Sequence, residues 1–161
     1  MSRARQISVI GAAQGEKDVL RDAEEVGRRI AEAGAVLVCG GRTGVMEAAS
    51  RGASEAGGTV IGILPGISPA EANPHVTVAV ATGIGEARNL AVVASGEAVI
   101  AVGGEWGTLS EIAHARKLGR PVVAIQSWVL QNRAGTDLGI LEAKRPEDAV
   151  RAALEAVGPQ P

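Results

Sequence analysis

The sequence predicts an α/β protein, one domain built on a doubly wound, mostly parallel sheet with helices on both faces. Three observations predict it. Short, continuously apolar runs such as AVLVC at 35–39 and AVIAV at 98–102 recur along the chain, as strands buried on both faces require. Between them lie longer segments whose apolar residues fall at helical spacing with charges in the gaps. The length, 161 residues, fits one domain able to bury most of its apolar surface. Strands alternating with helices imply βαβ units, and right-handed crossovers then give a Rossmann-like arrangement.

Taken in order, residues 6–11 (QISVIG) read as a first strand closed by glycine. Residues 16–32 carry Val19, Leu20, Ala23, Val26, Gly27 and Ile30 along one helical stripe, and Gly34 ends that helix. Residues 35–39 are a buried strand, followed by Gly40-Gly41-Arg42-Thr43-Gly44. A small, Ala-rich helix at 45–56 stops at Gly57-Gly58, and 59–64 (TVIGIL) is the third strand. A loop with three prolines covers 65–74, then a fourth strand 76–80 and a helix 86–94 stopped by Ser95-Gly96. Strand 98–102 leads into Gly103-Gly104-Glu105-Trp106-Gly107 and a helix at 108–118. Residues 121–125 (PVVAI) are the last clear strand. Residues 126–144 carry no pattern that decides between strand and loop. A final helix covers 146–157, with Pro146 near its first position. The end, 158–161, reads as a frayed tail of a domain spanning 1–161.

Composition narrows the function. Net charge is −2, which argues against a general nucleic-acid or membrane-surface partner. No apolar run approaches the ~18 residues of a membrane-spanning helix. Met1-Ser2-Arg3-Ala4-Arg5 leads straight into the first strand, so no secretory signal is expected and a cytoplasmic location follows as the default. Cys39 is the one cysteine, which excludes a disulfide framework and a cysteine-based zinc site. The chain has two Trp, no Tyr and no Phe, so a surface of Phe or Tyr cannot stack bases.

The two glycine loops echo each other. Residues 35–44 laid over 98–107 give five identities in ten positions: Ala, Val and all three glycines. Each reads strand, Gly-Gly-x-x-Gly, helix. Glycines let backbone N–H groups approach a ligand, and a helix N-terminus adds partial positive charge. One or both loops are therefore candidates to cradle a phosphate, although glycines also simply make tight turns. Neither loop is GxxxxGK[ST] or GxGxxG, and Gly11-Ala12-Ala13-Gln14-Gly15 is not GxGxxG either.

Few residues can carry chemistry. Glu111 lies three residues after Thr108, so the pair reads as a capping box or as a carboxylate beside a phosphate loop. Arg88, early in the helix after the fourth strand, can clamp a phosphate, stack on a base or stand exposed. Arg42 and Glu105 sit inside the glycine loops. His75 reads as a loop residue. His114 shares a helix face with Glu111, short of the three or four ligands a metal site wants, and no metal is expected. The lysines, Lys17, Lys117 and Lys144, lie outside the glycine loops, which disfavours Schiff-base chemistry.

Residues 39–48 (CGGRTGVMEA) resemble the first signature of the Lonely Guy (LOG)-like superfamily, and 103–111 (GGEWGTLSE) its second, PGGxGTxxE. The segments ILPG at 63–66, EANP at 71–74 and TGIGEARN at 82–89 resemble the short bacterial branch often labelled lysine-decarboxylase-like. The resemblance spans about residues 6 to 125 and implies a Rossmann-like fold and a homodimer or higher homo-oligomer. In Lonely Guy enzymes the activity is phosphoribohydrolysis, cutting a nucleoside 5′-monophosphate to free base and ribose 5-phosphate. Carried over, Glu111 is the catalytic carboxylate and Arg88 its arginine partner. Gly103, Gly104, Gly107 and Thr108 hold the phosphate, and Gly40, Gly41, Arg42, Thr43 and Gly44 are expected to bind phosphate or ligand as well. The chain departs from the enzymes at Val102 (Pro), Asn89 (Lys) and Gly85 (Met). It resembles the molybdenum cofactor carrier proteins at least as closely, and these bind a pterin phosphate without turning it over. Two functions follow as expectations: the hydrolase, and a carrier of a nucleotide or molybdenum cofactor. Neither needs a further cofactor. Pyridoxal-phosphate decarboxylation is not expected, since it requires a Schiff-base lysine.

Overall fold

β1 (Gln6–Gly11) runs through the middle of a seven-stranded sheet in the computed structural model, which describes residues 3–158. To one side lie β2 (Val36–Cys39), β3 (Val60–Leu64) and β4 (Val78–Ala81). To the other lie β5 (Ala98–Val102), β6 (Val122–Ile125) and β7 (Ile140–Ala143). The order is β4-β3-β2-β1-β5-β6-β7, and every neighbouring pair is parallel. β1 pairs with β2 through Gln6–Val36 and with β5 through Ile7–Ala98. The two echoing glycine loops thus leave strands that flank β1 on opposite sides.

Crossover handedness sets the layers. The path β1–β2–β3 steps in one direction across the sheet, so right-handed connections put α1 (Lys17–Glu32) and α2 (Val45–Glu55) on one face. The path through α3 (Arg88–Ser95) to β5, and through α4 (Trp106–Lys117) to β6, steps the other way and covers the opposite face. α5 (Pro146–Val157) returns to the first face. One core therefore joins α1, α2 and α5 to Ile7, Val9, Leu37 and Ile100, and the other joins α3 and α4 to Ile10, Val38 and Val99. Branched aliphatic and Ala side chains fill both. α1 and α2 touch at backbone level, because a Cβ at Gly27 would strike the Ala49 carbonyl and one at Gly52 the Glu24 carbonyl.

Several boundaries differ from the sequence reading. β4 begins at Val78 rather than 76, and residues 85–87 form a 3₁₀ turn before α3. α4 begins at Trp106, not Thr108. The capping box expected of Thr108 and Glu111 is accordingly displaced: Glu105 is the N-cap and Thr108 the third helical residue, its Oγ1 accepting the Glu105 N–H at 3.3 Å. The undecided segment holds β7 and a bridge between Gln131 and Asp137. β7 is an edge strand with Leu141 and Glu142 exposed, so it lacks the unbroken apolar run of a central strand. Of the expected frayed tail, Gly158 caps α5, and 159–161 lie outside the described residues.

Candidate functional site

The sheet's connection reverses direction at β1, between β2 and β5, and ligands of doubly wound sheets bind beyond the carboxyl ends of the strands at that point. A cavity of about 150 Å³ lies there. Its floor is the end of β1 and the following turn, Val9 to Ala13. Gly40 and Met46 come from the first glycine loop and α2, Glu86 from the 3₁₀ turn before α3, and Arg88 and Asn89 from the start of α3. Glu105, Gly107, Thr108 and Glu111 come from the second loop and α4. Residues from four separated stretches thus meet at one point.

Arg88 projects across the cavity toward the first glycine loop. A Cβ on Gly40 would lie 2.9 Å from Arg88 Nη2 and 2.7 Å from Met46 Sδ, so any larger residue there would displace the ends of both side chains. Arg88 Nη1 donates to Asn89 Oδ1, which orients the plane. Its Nε is buried and has no hydrogen-bond partner among the described residues. Burial pulls the guanidinium below its ordinary pKa, and the charge of Glu111 pulls it back up. A half-buried cation whose inner N–H lacks an acceptor is best satisfied by an anion.

Glu111 is only 7 % exposed, one turn into α4. Burial pushes its carboxyl up to about 7, and Arg88, acting through space, opposes that rise. The group is thus divided between acid and base near neutral pH, the condition suited to proton transfer. Thr108 is buried, and Gly107 borders open space in the first turn of α4, where helix N–H groups lack intrahelical acceptors.

The other glycine-loop residues are placed elsewhere. Thr43 spends its hydroxyl on the Ala13 carbonyl at 2.9 Å, tying its loop to the turn after β1. Gly44, at φ +67°, caps α2 where a Cβ would strike the carbonyls of Ala12 and Ala13. Gly41 packs against Leu64 and Gly62, and its carbonyl accepts the Asn73 N–H at 2.9 Å. Arg42 faces Glu71 at 3.6 Å, away from the cavity lining. Gly103 packs on Val19, and Gly104 lies beside Thr108 and Trp128. The first loop therefore contributes Gly40 to the cavity and otherwise shapes the turn beneath it. His114 is exposed, with its ring against the Ser110 carbonyl, and Cys39 is buried beside Ser50 and the Gly41 N–H.

The sequence reading missed the turn after β1, Met46 and Asn89 as cavity walls. The reversal of strand order would have found the turn, because it locates the crevice at the end of β1. The second loop also has two residues between Gly104 and Gly107, one more than PGGxGT, and Trp106 thereby opens α4.

Comparison with known proteins agrees with the overall fold. A solved structure of the molybdenum cofactor binding protein from the phototrophic bacterium Rippkaea orientalis is 36% identical, with TM-score 0.87, covering 98% of this chain and 99% of that one. The molybdenum cofactor carrier protein of Chlamydomonas reinhardtii is 34% identical with TM-score 0.81, over 98% and 100%. An uncharacterized protein of Archaeoglobus fulgidus is 40% identical over 151 residues, covering 94% of this chain and 95% of its own. Among the described residues no helix is long and apolar enough to cross a membrane. A family model matches residues 4–150, and on that match the chain belongs to the SLOG cluster4 family, part of the LOG-like superfamily.

Proposed function

We propose that this protein binds a small phosphorylated ligand and carries it without turning it over, the ligand being a pterin phosphate of the molybdenum cofactor type. The observation that carries the reading is likeness over essentially the whole chain to proteins named for binding or carrying that cofactor. The site fits such a ligand. Arg88 offers a half-buried guanidinium whose Nε has no partner among the described residues, and the first turn of α4 offers the Gly107 N–H and a positive dipole end, the Thr108 N–H being held by the Glu105 side chain. These groups would hold the phosphate, while Glu111 would accept a neighbouring hydroxyl or amine. Net charge −2 supports a small ligand rather than nucleic acid. Val78 and Val80 on β4, with Leu90 on α3, are exposed and support assembly of copies into a homodimer or larger homo-oligomer, which light scattering tests.

One observation favours a second reading, nucleoside 5′-monophosphate phosphoribohydrolysis. Glu111 has a pKa of about 7 beside Arg88, the protonation state a general acid–base needs at neutral pH. Its carboxylate form would stabilise an oxocarbenium-like state while assisting water attack. A single experiment separates the two. The protein is incubated with a panel of nucleoside monophosphates and a pterin monophosphate, and free base is followed by chromatography alongside binding. Saturable binding without base release is the expected result. Sustained release from one monophosphate, abolished in Glu111→Gln, would overturn the carrier reading and establish the hydrolase.

A further inference from the structure

The cavity at the end of β1 measures about 150 Å³, well below the roughly 300–1,000 Å³ of sites that engulf a whole small molecule. It can take a phosphate and its immediate neighbours. The rest of any phosphorylated ligand must lie across the mouth. One residue of the second glycine loop has no role in the core. Trp106 is 77 % exposed, although it sits between Glu105 and Gly107, both of which line the cavity.

Trp106 is not an isolated surface residue. Its ring lies 5.4 Å from that of Trp128, tilted by 38°, within the range of favourable aromatic pairs. Trp128 is fixed in turn. Its Nε1–H donates to the Glu105 carbonyl at 3.2 Å, and its Cδ1 would lie 3.2 Å from a Cβ at Gly104. The two tryptophans of the chain are therefore gathered at the second glycine loop, the inner one pinned and the outer one open to solvent. Positive φ at Gly103 and Gly104 and the opening of the cavity at Gly107 explain the loop's glycines but give no reason for an exposed indole beside them.

We infer that Trp106, braced by Trp128, is the platform on which the flat ring system of the ligand stacks, so that the site selects fused-ring heterocycles carrying a phosphate, a pterin or a purine. This rests on the reading that the cavity takes the phosphate. Phosphate contacts alone do not discriminate among phosphorylated metabolites. A stacking surface does, because it rewards a planar, polarisable ring and gives nothing to a bare sugar phosphate.

The test uses the intact chain, whose tryptophan emission comes from these two residues alone. The probes are GMP, a pterin monophosphate and ribose 5-phosphate, with affinities from calorimetry and emission followed in parallel. GMP or the pterin monophosphate is expected to quench the emission saturably, whereas ribose 5-phosphate binds without quenching. In Trp106→Ala the preference for the ring-bearing probe over ribose 5-phosphate falls roughly tenfold, the scale of one base–aromatic stack, and Trp106→Phe retains most of it. Trp106 is exposed, so truncation leaves the core intact, and the emission of the parent protein is a readout that needs no variant. An undiminished preference in Trp106→Ala, or ring-bearing probes that bind without quenching, overturns the platform and leaves the phosphate site standing. Emission that shifts with protein concentration and not with ligand makes the pair a contact between copies and equally overturns it. Failure of all three probes to bind overturns the phosphate reading itself and the platform with it. The tighter of GMP and the pterin monophosphate identifies the ring.

Discussion

Replacing Glu111 with Gln should stabilise the protein at neutral and alkaline pH while leaving it unchanged in acid. The carboxyl is 7 % exposed and titrates near 7 in the native protein, against 4.5 in an unstructured chain. Between those values the native state binds more protons than the unfolded state, so stability declines as pH rises through the window. The penalty is absent below 4.5 and complete above about 7. At 1.36 kcal/mol for each pH unit, the full penalty is about 3 kcal/mol. Gln matches the protonated carboxyl in size and charge and does not ionise, so the variant escapes the penalty. Urea denaturation of both proteins at pH 4.5, 6 and 8 reads it out directly. The two free energies should coincide near pH 4.5 and diverge until Glu111→Gln is more stable by about 3 kcal/mol at pH 8. A difference that stays constant over the range, or a variant less stable at pH 8, would show that burial does not govern this carboxyl and that Arg88 already neutralises it. That result would also remove the acid–base argument for the hydrolase reading.

Three further perturbations follow from the same structure. Arg88→Gln removes the cation from the cavity and should weaken ribose 5-phosphate binding at least tenfold by calorimetry, the lower end of a charge-assisted hydrogen bond's ~1.5–3 kcal/mol; equal affinity would move the phosphate elsewhere. Gly27→Ala forces a methyl against the Ala49 carbonyl and must part α1 from α2, so it should lower stability by about 1–3 kcal/mol, visible as a reduced urea midpoint. Leu37→Ala opens a hole in the layer shared by α1, α2 and α5 and should cost about 2–5 kcal/mol; a cost under 1 kcal/mol would mean that the layer collapses around the gap.

Both proposed readings would draw on the same parts, a helix N-terminus, a guanidinium and a carboxylate around one cavity, and the first two would hold a phosphate whether or not the third assists in breaking a bond. In this chain Asn89 accepts from Arg88 Nη1, where the enzymes of the superfamily place a lysine. A neutral amide that holds the guanidinium in place serves binding directly, whereas it supplies no second charge for a developing transition state.

The alternation of apolar runs with helical stripes was enough to establish the fold class. Parallel strands buried on both faces must be apolar throughout, and amphipathic helices must repeat every three to four residues, so both leave their period in the chain. The glycine loops, Arg88 and Glu111 were legible for the same reason, because turns and charges are local choices. The edge strand β7 was not, since a strand with exposed Leu141 and Glu142 carries no period to read. Nor was the start of α4. Thr108-x-x-Glu111 is a sound capping pattern, yet Glu105 caps the helix from three residues earlier. Only the tertiary structure decided which loop residues face the cavity. Packing spends Thr43 on Ala13, Arg42 on Glu71 and Gly103 on Val19, and leaves Gly40, Arg88, Gly107, Thr108 and Glu111 together. It also buried Glu111 and so set its pKa, and it brought Trp128 beneath Trp106 from 22 residues away along the chain. Burial and long-range contact depend on where the sheet carries each strand end, which residue spacing alone does not record.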